Sequence, residues 1–550
     1  GAITLDEDDN SMTGTVTFNS GSGNVTLDNN TTDLDLVSTS TGAVTVENAG
    51  AVTASGTMGS FTVSNSTSFN DSATLTITGA TGITTTDGAV TLDDDSNNLG
   101  GTVTVSSGTG AITVDNNTNA LDLNTTSTGA VTVEDAGALT VAGSMGSFVV
   151  TNATSVNDSA TLTISGTTNI NTSTSNGAIS LDDDANSLTG TVTVAAGTGN
   201  VTLDNNTTNL GLVITSANDV TIEDAGAVDL QGTVSNNLLI SSATGVTDSG
   251  TLSVTGTTGM TTTGDGSVVL DTDTNALTGA VTVTTGAGDI TLDNNATDLT
   301  LISSSSGTVT VEDAGALTVQ GSMGNFVVTD ASSVADSGTL TISGTTTIDT
   351  SSGNGAVALD EDANSLTGTV TVTSGSGAIT LDNNTTNLTL VSSTSGAVTI
   401  EDAADTDISG TTGNLTVSDA DALTLAGTVT GNLLVSAATS VADSATLAVT
   451  GTTTIDTSVA NGSIALDEDA NNLAGTVTVT SGSGAITLDN AGNGLDVSST
   501  SSGALTVENA GALTIAGTMG SFTVTNATSV NDSATVTVTG TTTIDTSAGN

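Results

Sequence analysis

Short runs in which apolar residues alternate with threonine or serine recur along the whole chain. Typical examples are Gly101-Thr-Val-Thr-Val105 and Ala111-Ile-Thr-Val114. Alternation of this kind predicts a strand that buries one face and exposes the other. No stretch has the period of a helix, and clusters of Gly, Asn, Asp and Ser separate the runs and supply turns. The pattern therefore predicts an all-β protein.

A ten-residue frame, Leu-Asp-x-Asp-x-Asn-x-(Leu/Met)-x-Gly, sets the register of these strands. It returns six times, beginning at Leu5, Leu92, Leu181, Leu270, Leu359 and Leu466. Internal repetition of this kind is the first evidence to weigh when a fold is predicted. Counting from the glycine that opens each copy gives the repeats 1–87, 88–176, 177–265, 266–354, 355–461 and 462–550.

Two architectures could produce this repetition, namely a string of sandwich domains or one solenoid. The fifth repeat is 107 residues long, 18 more than the 89 of its neighbours, and the extra segment lies around Asp405 to Ala422. A sandwich would be damaged by an inserted strand pair, whereas a solenoid accommodates one more coil because each coil contacts only its neighbours. We therefore predict a parallel β-helix (β-solenoid) that is continuous over residues 1–550. Each 89-residue repeat should form about five coils of roughly 18 residues.

The composition excludes several classes of function. The chain has no Lys, Arg, His, Cys, Pro, Trp or Tyr, and its formal charge is −58. Without basic residues it has no usual means of binding nucleic acid, and anionic lipid headgroups should repel it. Catalytic bases, nucleophiles and oxyanion donors normally include side chains that are missing here, so we expect no enzyme. No apolar run is long enough for a membrane-spanning helix. Because the chain starts at Gly1 and ends on a repeat boundary, we expect it to be a piece of a longer one.

Acidic residues form the one constellation with possible chemistry. In each repeat an Asp of the frame, an Asp about one coil later and a Glu one coil further should stack at one corner. Calcium, which takes six to eight oxygen ligands, suits such a corner. Asp and Asn are also ordinary turn residues, and solution cations could merely screen the charges, so both alternatives stay open. The candidate ligands are Asp6, Asp8, Asp28 and Glu47; Asp93, Asp95, Asp115 and Glu134; Asp182, Asp184, Asp204 and Glu223; Asp271, Asp273, Asp293 and Glu312; Asp360, Asp362, Asp382 and Glu401; and Asp467, Asp469, Asp489 and Glu508.

Outward threonines suggest a rival function. A flat threonine array on one face over many coils would favour a module that binds ice or a glycan surface, whereas threonines spread over several faces favour a passive structural role. The pairs to locate are Thr102 and Thr104, Thr191 and Thr193, and Thr369 and Thr371. Lateral or end-to-end self-association is a further possibility, as is a glycan or host-surface partner bound by regions outside this segment.

The sequence of the repeats resembles that of a known class of proteins. Gly-Ala-Ile-Thr-Leu-Asp-Asn-Ala-Gly-Asn (484–493), Gly-Ala-Leu-Thr-Ile-Ala-Gly (511–517) and Val-Thr-Gly-Thr-Thr-Thr-Ile-Asp-Thr-Ser (538–547) are similar to the repeat region of filamentous-haemagglutinin-like giant bacterial surface proteins. That resemblance implies a right-handed parallel β-helix, exported and displayed as a stalk. We therefore expect a non-enzymatic extracellular stalk or filament body at the cell surface, or the subunit of a self-assembling fibre.

Overall fold

The computed structural model describes residues 1–547 and confirms the predicted fold class. Over this range the chain forms 56 parallel-paired β-strands and no α-helix. It divides into two compact units, Gly1–Gly279 and Ala280–Asn550. Each unit by itself is a parallel β-solenoid. Continuity of one solenoid across both units stays a prediction.

The first unit contains 28 strands, most of them short. They are β1 (Ile3–Leu5), β2 (Thr15–Phe18), β3 (Val25–Leu27), β4 (Leu34–Thr39), β5 (Ala43–Val46), β6 (Ala51–Met58), β7 (Ser60–Ser66), β8 (Ser68–Ile77), β9 (Thr81–Thr85), β10 (Val90–Leu92), β11 (Asn98–Leu99), β12 (Thr102–Gly108), β13 (Ile112–Val114), β14 (Leu121–Ser127), β15 (Ala130–Met145), β16 (Ser147–Ile164), β17 (Thr168–Asn171), β18 (Ile179–Leu181), β19 (Ser187–Leu188), β20 (Thr191–Ala195), β21 (Val201–Leu203), β22 (Leu210–Ala217), β23 (Val220–Ile222), β24 (Ala225–Val234), β25 (Leu238–Val254), β26 (Thr258–Thr262), β27 (Val268–Leu270) and β28 (Ala276–Leu277).

The second unit also contains 28 strands. They are β29 (Ala280–Gly286), β30 (Ile290–Leu292), β31 (Leu299–Ser305), β32 (Thr308–Val311), β33 (Ala314–Met323), β34 (Asn325–Val328), β35 (Ala331–Ile342), β36 (Thr346–Asp349), β37 (Val357–Leu359), β38 (Ser365–Leu366), β39 (Thr369–Gly375), β40 (Ile379–Leu381), β41 (Leu388–Thr394), β42 (Val398–Ile400), β43 (Thr406–Thr412), β44 (Leu415–Val417), β45 (Ala420–Val429), β46 (Leu433–Val435), β47 (Ala438–Val449), β48 (Thr453–Asp456), β49 (Ile464–Leu466), β50 (Asn472–Leu473), β51 (Thr476–Gly482), β52 (Ile486–Leu488), β53 (Leu495–Ser501), β54 (Ala504–Met519), β55 (Ser521–Val538) and β56 (Thr542–Ile544).

Successive strands of the first unit alternate between two ladders of parallel pairs. Ladder 1 begins β1, β3, β5, β7, β9, β12, and ladder 2 begins β2, β4, β6, β8, β10. A long strand such as β15 runs round a corner, so that its start pairs with β13 in ladder 2 and its end with β14 in ladder 1. One coil therefore contributes one segment to each ladder.

The extra segment of the fifth repeat is one whole coil. Its strands β43 and β44 enter the two ladders of the second unit separately. Leu415 of β44 pairs with Val398 on one side and with Leu433 on the other, while β43 pairs between β41 and β45. The insertion thus lengthens the stack without changing its register.

An 89-residue repeat holds four and a half coils, where the sequence predicted about five. Val90 lies in ladder 2, and the equivalent residue of the next repeat, Ile179, lies in ladder 1. Between these two residues the chain crosses from one ladder to the other nine times. Because this number is odd, equivalent residues of successive repeats lie in opposite ladders. The difference arises because coils are unequal: Phe61 pairs with Val44, 17 residues earlier, but Val192 pairs with Thr168, 24 residues earlier.

The core is a thin apolar layer between the ladders. Inward Val, Leu and Ile alternate with outward Thr, as in β13, where Ile112 and Val114 are buried and Thr113 is half-buried. Phe61 of ladder 1 meets Phe69 of ladder 2 with ring centroids 5.6 Å apart and planes tilted by 55°. Removal of this apolar surface from water is the main driving force for folding.

Equivalent inward threonines in five repeats leave their hydroxyls unpaired in this core. Each is at least nine-tenths buried, and no hydrogen-bond partner for its hydroxyl exists within the described chain. Four residues further on, Thr172 is also buried, but its hydroxyl donates to the carbonyl oxygen of Gly177 at 2.6 Å. An unpaired buried hydroxyl loses its hydration without compensation. The five threonines are Thr81, Thr168, Thr258, Thr346 and Thr453.

We predict that Thr168→Val stabilises the protein by up to about 1 kcal/mol, because the change removes an unpaired hydroxyl and keeps the β-branched shape. The matched change Thr172→Val should destabilise by about 1–2 kcal/mol, because it deletes a satisfied bond. Thermal or denaturant unfolding of the two variants measures both effects. Equal destabilisation by the two changes would contradict this reading of the core.

Candidate functional site

The acidic triplets lie in register at the ends of paired strands. Val114 pairs with Leu92 in the preceding coil and with Val133 in the following coil. The residues that directly follow these three are Asp93, Asp115 and Glu134. The backbone N–H of Asp115 donates to the carbonyl of Leu92 at 2.6 Å, which continues the ladder into the acidic position. The same register holds in the first, third, fifth and sixth repeats.

The three acids of a triplet have different environments. The frame aspartates, at both the second and the fourth positions, are exposed in every repeat. The glutamates are exposed too, apart from the half-buried Glu508. The middle aspartate is at most 6% exposed in each repeat. Its burial indicates a structural role that the other two acids do not share. The middle residues are Asp28, Asp115, Asp204, Asp293, Asp382 and Asp489.

The buried aspartate closes a tight loop at the strand end. Oδ1 of Asp204 accepts the backbone N–H of Asn206 at 2.8 Å, and Asn206 has a φ of 49°. Asn tolerates this left-handed conformation better than most residues. In the sixth repeat Ala491 occupies the equivalent position and also adopts it, with a φ of 51°. The loop therefore needs the carboxylate more than it needs a particular residue at its tip.

A buried asparagine inside the same loop replaces a missing strand. Oδ1 of Asn205 accepts the N–H of Leu188 at 2.7 Å, and its Nδ2 lies 3.2 Å from the carbonyl oxygen of Leu188. Nδ2 also lies 3.1 Å from the carbonyl oxygen of Thr208. The amide thus satisfies both backbone groups of a strand residue whose neighbouring coil has turned away. Its equivalents, likewise fully buried, are Asn29, Asn116, Asn294, Asn383 and Asn490.

The asparagine of the frame makes a second brace between coils. Asn186 accepts the N–H of Leu162 at 2.7 Å and donates from Nδ2 to Asp158 at 2.6 Å. The carboxylate of Asp158 also accepts the backbone N–H groups of Asp182 and Asp183, at 3.2 and 3.1 Å. Each frame after the first therefore wraps one carboxylate of the preceding coil, and charge-assisted bonds of this kind are strong. The wrapped aspartates are Asp71, Asp158, Asp248, Asp336 and Asp443.

The acids repel each other because the chain has no basic side chain to offset them. Burial raises the pKa of Asp115 above its ordinary value, and Asp135 adds to the rise. Although Glu134 is largely exposed, partial desolvation and then the charges of Asp93 and Asp115 raise its pKa. In the fifth repeat the pKa of Glu401 is raised in the same way, through partial desolvation and then the charges of Asp360 and Asp382. Burial is also the main cause of the raised pKa values of Asp71, Asp204, Asp382 and Asp402.

Only the middle aspartate of each corner is buried, whereas the frame aspartates and most of the glutamates face solvent. Among residues 1–547 no group of three or more acids is arranged so that it could hold a metal ion. The buried Asp28, for example, accepts the N–H of Asn30 through Oδ1 and the amide N–H of Asn48 through Oδ2. The exposed frame aspartates face solvent, so calcium binding there stays a prediction.

The predicted threonine array is divided between the ladders. In the first unit Thr102 and Thr104 belong to ladder 1, and Thr191 and Thr193 belong to ladder 2. Thr104 pairs with Gly82 in one neighbouring coil and with Asn124 in the other, so threonines do not form a continuous row across the coils. Thr369 and Thr371 lie in β39 of the second unit.

Comparison with protein families identifies the repeats. The family model described as repeats of unknown function (DUF5649) matches residues 41–106, 128–195, 217–284, 306–373, 412–480 and 502–550. These segments cover more than half of the chain. The chain belongs to the DUF5649 repeat family. No curated protein and no solved structure matches it significantly. Within residues 1–547 we find no helix that is both long and apolar enough to cross a membrane.

The DUF5649 matches run across the repeat boundaries that the frame defines. The second match, 128–195, contains the frame that begins at Leu181 together with Asp158, the residue it wraps. Sequence reasoning found the frame and missed Asp158, because that aspartate lies 24 residues before Asp182 and in a different coil. A signal was present, since Asp-Ser precedes every frame after the first at a similar distance.

We predict that Asn205→Ala destabilises the protein by about 3 kcal/mol, because it leaves the buried backbone groups of Leu188 without partners. The neighbouring change Asn206→Ala serves as the control and should cost less than about 1 kcal/mol, since Ala491 already occupies the equivalent position in that conformation. Urea unfolding of both variants tests the difference. Similar losses at the two positions would refute the role given to the buried amide.

Stability should rise as the pH falls from 7 towards the ordinary pKa values, 3.8 for Asp and 4.5 for Glu. Where the folded-state pKa is raised, the folded state binds protons more tightly than the unfolded chain. The resulting stabilisation is complete below the unfolded pKa and is lost as the pH rises through the folded pKa. Melting at pH 7 and pH 4.5 and constant ionic strength checks this, and Asp115→Asn should reduce the gain. A lower melting temperature at the acid pH would contradict it.

If the exposed acids bind calcium, calcium should raise the melting temperature more than magnesium at equal ionic strength, because magnesium demands stricter geometry and dehydrates reluctantly. The double change Asp182→Asn with Asp184→Asn should then remove part of the gain. Equal stabilisation by sodium at matched ionic strength would mean that cations only screen the acids.

Proposed function

We propose that this chain is a segment of a non-enzymatic structural stalk, or filament body, in a large extracellular surface protein. One observation carries the proposal: buried asparagines and aspartates that recur in the repeats join one coil to the next. Asn205 braces Leu188, and Asn186 with Asp158 ties the frame to the preceding coil. A protein whose recurring internal pattern serves stacking is suited to extending a structure.

The inserted coil supports the same conclusion. The strands β43 and β44 lengthen the second unit while their neighbours keep their pairing. A catalytic or binding cleft depends on the relative positions of distant residues, so a change of length within it would be harmful. In a stalk a change of length is tolerated, because each coil needs only its two neighbours.

The surface composition fits a passive extracellular element. With a formal charge of −58 and no Lys or Arg, like-charged copies repel one another and trypsin finds no cleavage site. The resemblance of the repeats to filamentous-haemagglutinin-like surface proteins points to the cell exterior. The division of the outward threonines between two ladders gives less support to an ice- or glycan-binding face.

A repeat exchange in the full native protein tests the proposal. Residues 88–176 are replaced by a second copy of 177–265, which has the same length and the same nine crossings. We expect surface display and activity of the full protein to be retained. Deleting 88–176 should instead shorten the reach by about 20 Å, from four and a half coils of about 4.8 Å.

Antibodies against this segment provide the second readout. They should label intact cells of the source organism, and the label should survive trypsin but not a protease of broad specificity. Loss of activity after the repeat exchange would show that residues 88–176 hold a specific site. Label that appears only after cell lysis would contradict the extracellular assignment.

A further inference from the structure

The residue before each repeat-opening glycine occupies the same corner in every repeat after the first. It is Asn176, Asn354 and Asn461 in three repeats and Asp87 and Asp265 in two. The corner therefore accepts either the amide or the acid. The following glycine is required by space, because a Cβ on Gly177 would lie 1.8 Å from the carbonyl oxygen of Thr154 in the preceding coil.

This requirement creates Asn–Gly, the dipeptide in which spontaneous deamidation is least hindered. In that reaction the backbone nitrogen of the glycine attacks Cγ of the asparagine and forms a new C–N bond. The bond from Cγ to the side-chain nitrogen breaks and ammonia leaves, which gives a cyclic succinimide. Water then opens the ring to aspartate or isoaspartate, so the net change is the uptake of one water and the loss of one ammonia.

Both reacting groups of the corner are engaged in hydrogen bonds of the fold. Oδ1 of Asn176 accepts the backbone N–H of Thr198 in the next coil at 2.9 Å. The N–H of Gly177, which carries the attacking nitrogen, donates to the carbonyl oxygen of Thr172 at 3.1 Å. The carbonyl oxygen of Gly177 in turn accepts the hydroxyl of Thr172 at 2.6 Å. Ring closure requires the N–H of Gly177 to leave Thr172, and the bond to Thr198 restrains the rotation that would bring Cγ of Asn176 to the attacking nitrogen.

The same lock recurs at the other two Asn–Gly corners. Oδ1 of Asn354 accepts the N–H of Ser376 at 3.1 Å, and Oδ1 of Asn461 accepts the N–H of Ser483 at 3.0 Å. Gly355 and Gly462 donate to Thr350 and Thr457 at 3.0 and 3.1 Å. At the acidic corner, Asp87 accepts the N–H of Thr109 at 3.1 Å through its own Oδ1.

We propose that Asn176, Asn354 and Asn461 are deamidation sites locked by a hydrogen bond to the next coil, which react only when that coil opens and which tolerate the aspartate product. Aspartate keeps the Oδ1 acceptor and matches Asp87. Isoaspartate adds a backbone atom before a glycine that has no room to move, so it does not fit the closed corner. Each conversion to aspartate adds one negative charge and lets the coil close again.

The chain contains an internal control with the same dipeptide and no lock. Asn493 precedes Gly494 in an exposed loop, and its side chain makes no hydrogen bond within residues 1–547. A Cβ on Gly494 would meet its nearest neighbour only at 3.7 Å, so this glycine has open space that the corner glycines lack, although its carbonyl oxygen accepts from Nδ2 of Asn490 at 2.8 Å. In the unfolded chain all four Asn–Gly sequences are chemically alike.

The test follows deamidation of the full chain at mildly alkaline pH by peptide mass mapping. In native buffer Asn493 should react at least about tenfold faster than the three corner asparagines, because only the corners must first open locally. In concentrated urea the four rates should converge. Corner asparagines that react as fast as Asn493 in the folded chain would overturn the proposal.

A pair of variants tests tolerance of the product. Asn176→Asp should leave the melting temperature nearly unchanged, because the bond to Thr198 is retained. Asn176→Ala should lower it, because that bond is lost and Ala must adopt the φ of 54° found at Asn176. Equal loss in the two variants would overturn the claim that the corner tolerates aspartate.

Discussion

Hydrogen bonding of the backbone between neighbouring coils is the constraint on which this structure depends. In a stacked coil every strand N–H and C=O needs a partner in the coil above or below, and an unpaired buried group is expensive. The repeats break this ladder wherever a loop leaves the strand path. Buried asparagines restore it: the amide of Asn116, for instance, bonds the N–H of Leu99 where no strand is available. The buried polar residues therefore lie largely where backbone groups of the ladder would otherwise have no hydrogen-bond partner.

The absence of basic residues likewise determines the environments of the carboxylates. A carboxylate in this chain cannot be paired with a cationic side chain, so it is mostly left in water or given N–H or hydroxyl donors. Asp28 and Asp158 accept backbone and amide N–H groups, whereas Asp182 and Asp184 face solvent. Partial desolvation raises the pKa of acids such as Glu134, and neighbouring carboxylates raise it further because ionisation brings more negative charge to one edge. Acid conditions relieve this repulsion by protonating the carboxylates. In proteins held together by ion pairs, the same protonation removes stabilising interactions.

Much of the fold could be predicted from the sequence because its signals are local or strictly periodic. Alternation predicted strands such as Ile112–Val114, and the surplus of the fifth repeat indicated a coil that β43 and β44 confirm. The triplet Asp93, Asp115 and Glu134 was aligned from spacing alone. The half-coil was missed because the coils differ in length, and an average length does not reveal an odd number of crossings.

The braces were not predicted because they join residues of different coils through side chains. Nothing in the local sequence distinguishes the buried Asn205 from the exposed Asn206, which adjoin each other in one loop. Only the three-dimensional neighbourhood of Leu188 makes one of them indispensable. Likewise, aspartate is an ordinary turn residue at the level of sequence, and only its partners separate the wrapped Asp158 from the solvated Asp184.

Hydrogen exchange of the leucine amides that donate to buried asparagines tests this account most directly. The N–H groups of Leu99, Leu188 and Leu366 bond to side chains at 2.7, 2.7 and 2.6 Å, and each lies at a two-residue strand beside a loop. The account predicts protection as strong as that of amides in the centre of a ladder. Exchange as fast as that of exposed loop amides would show that the asparagines do not hold the coils together.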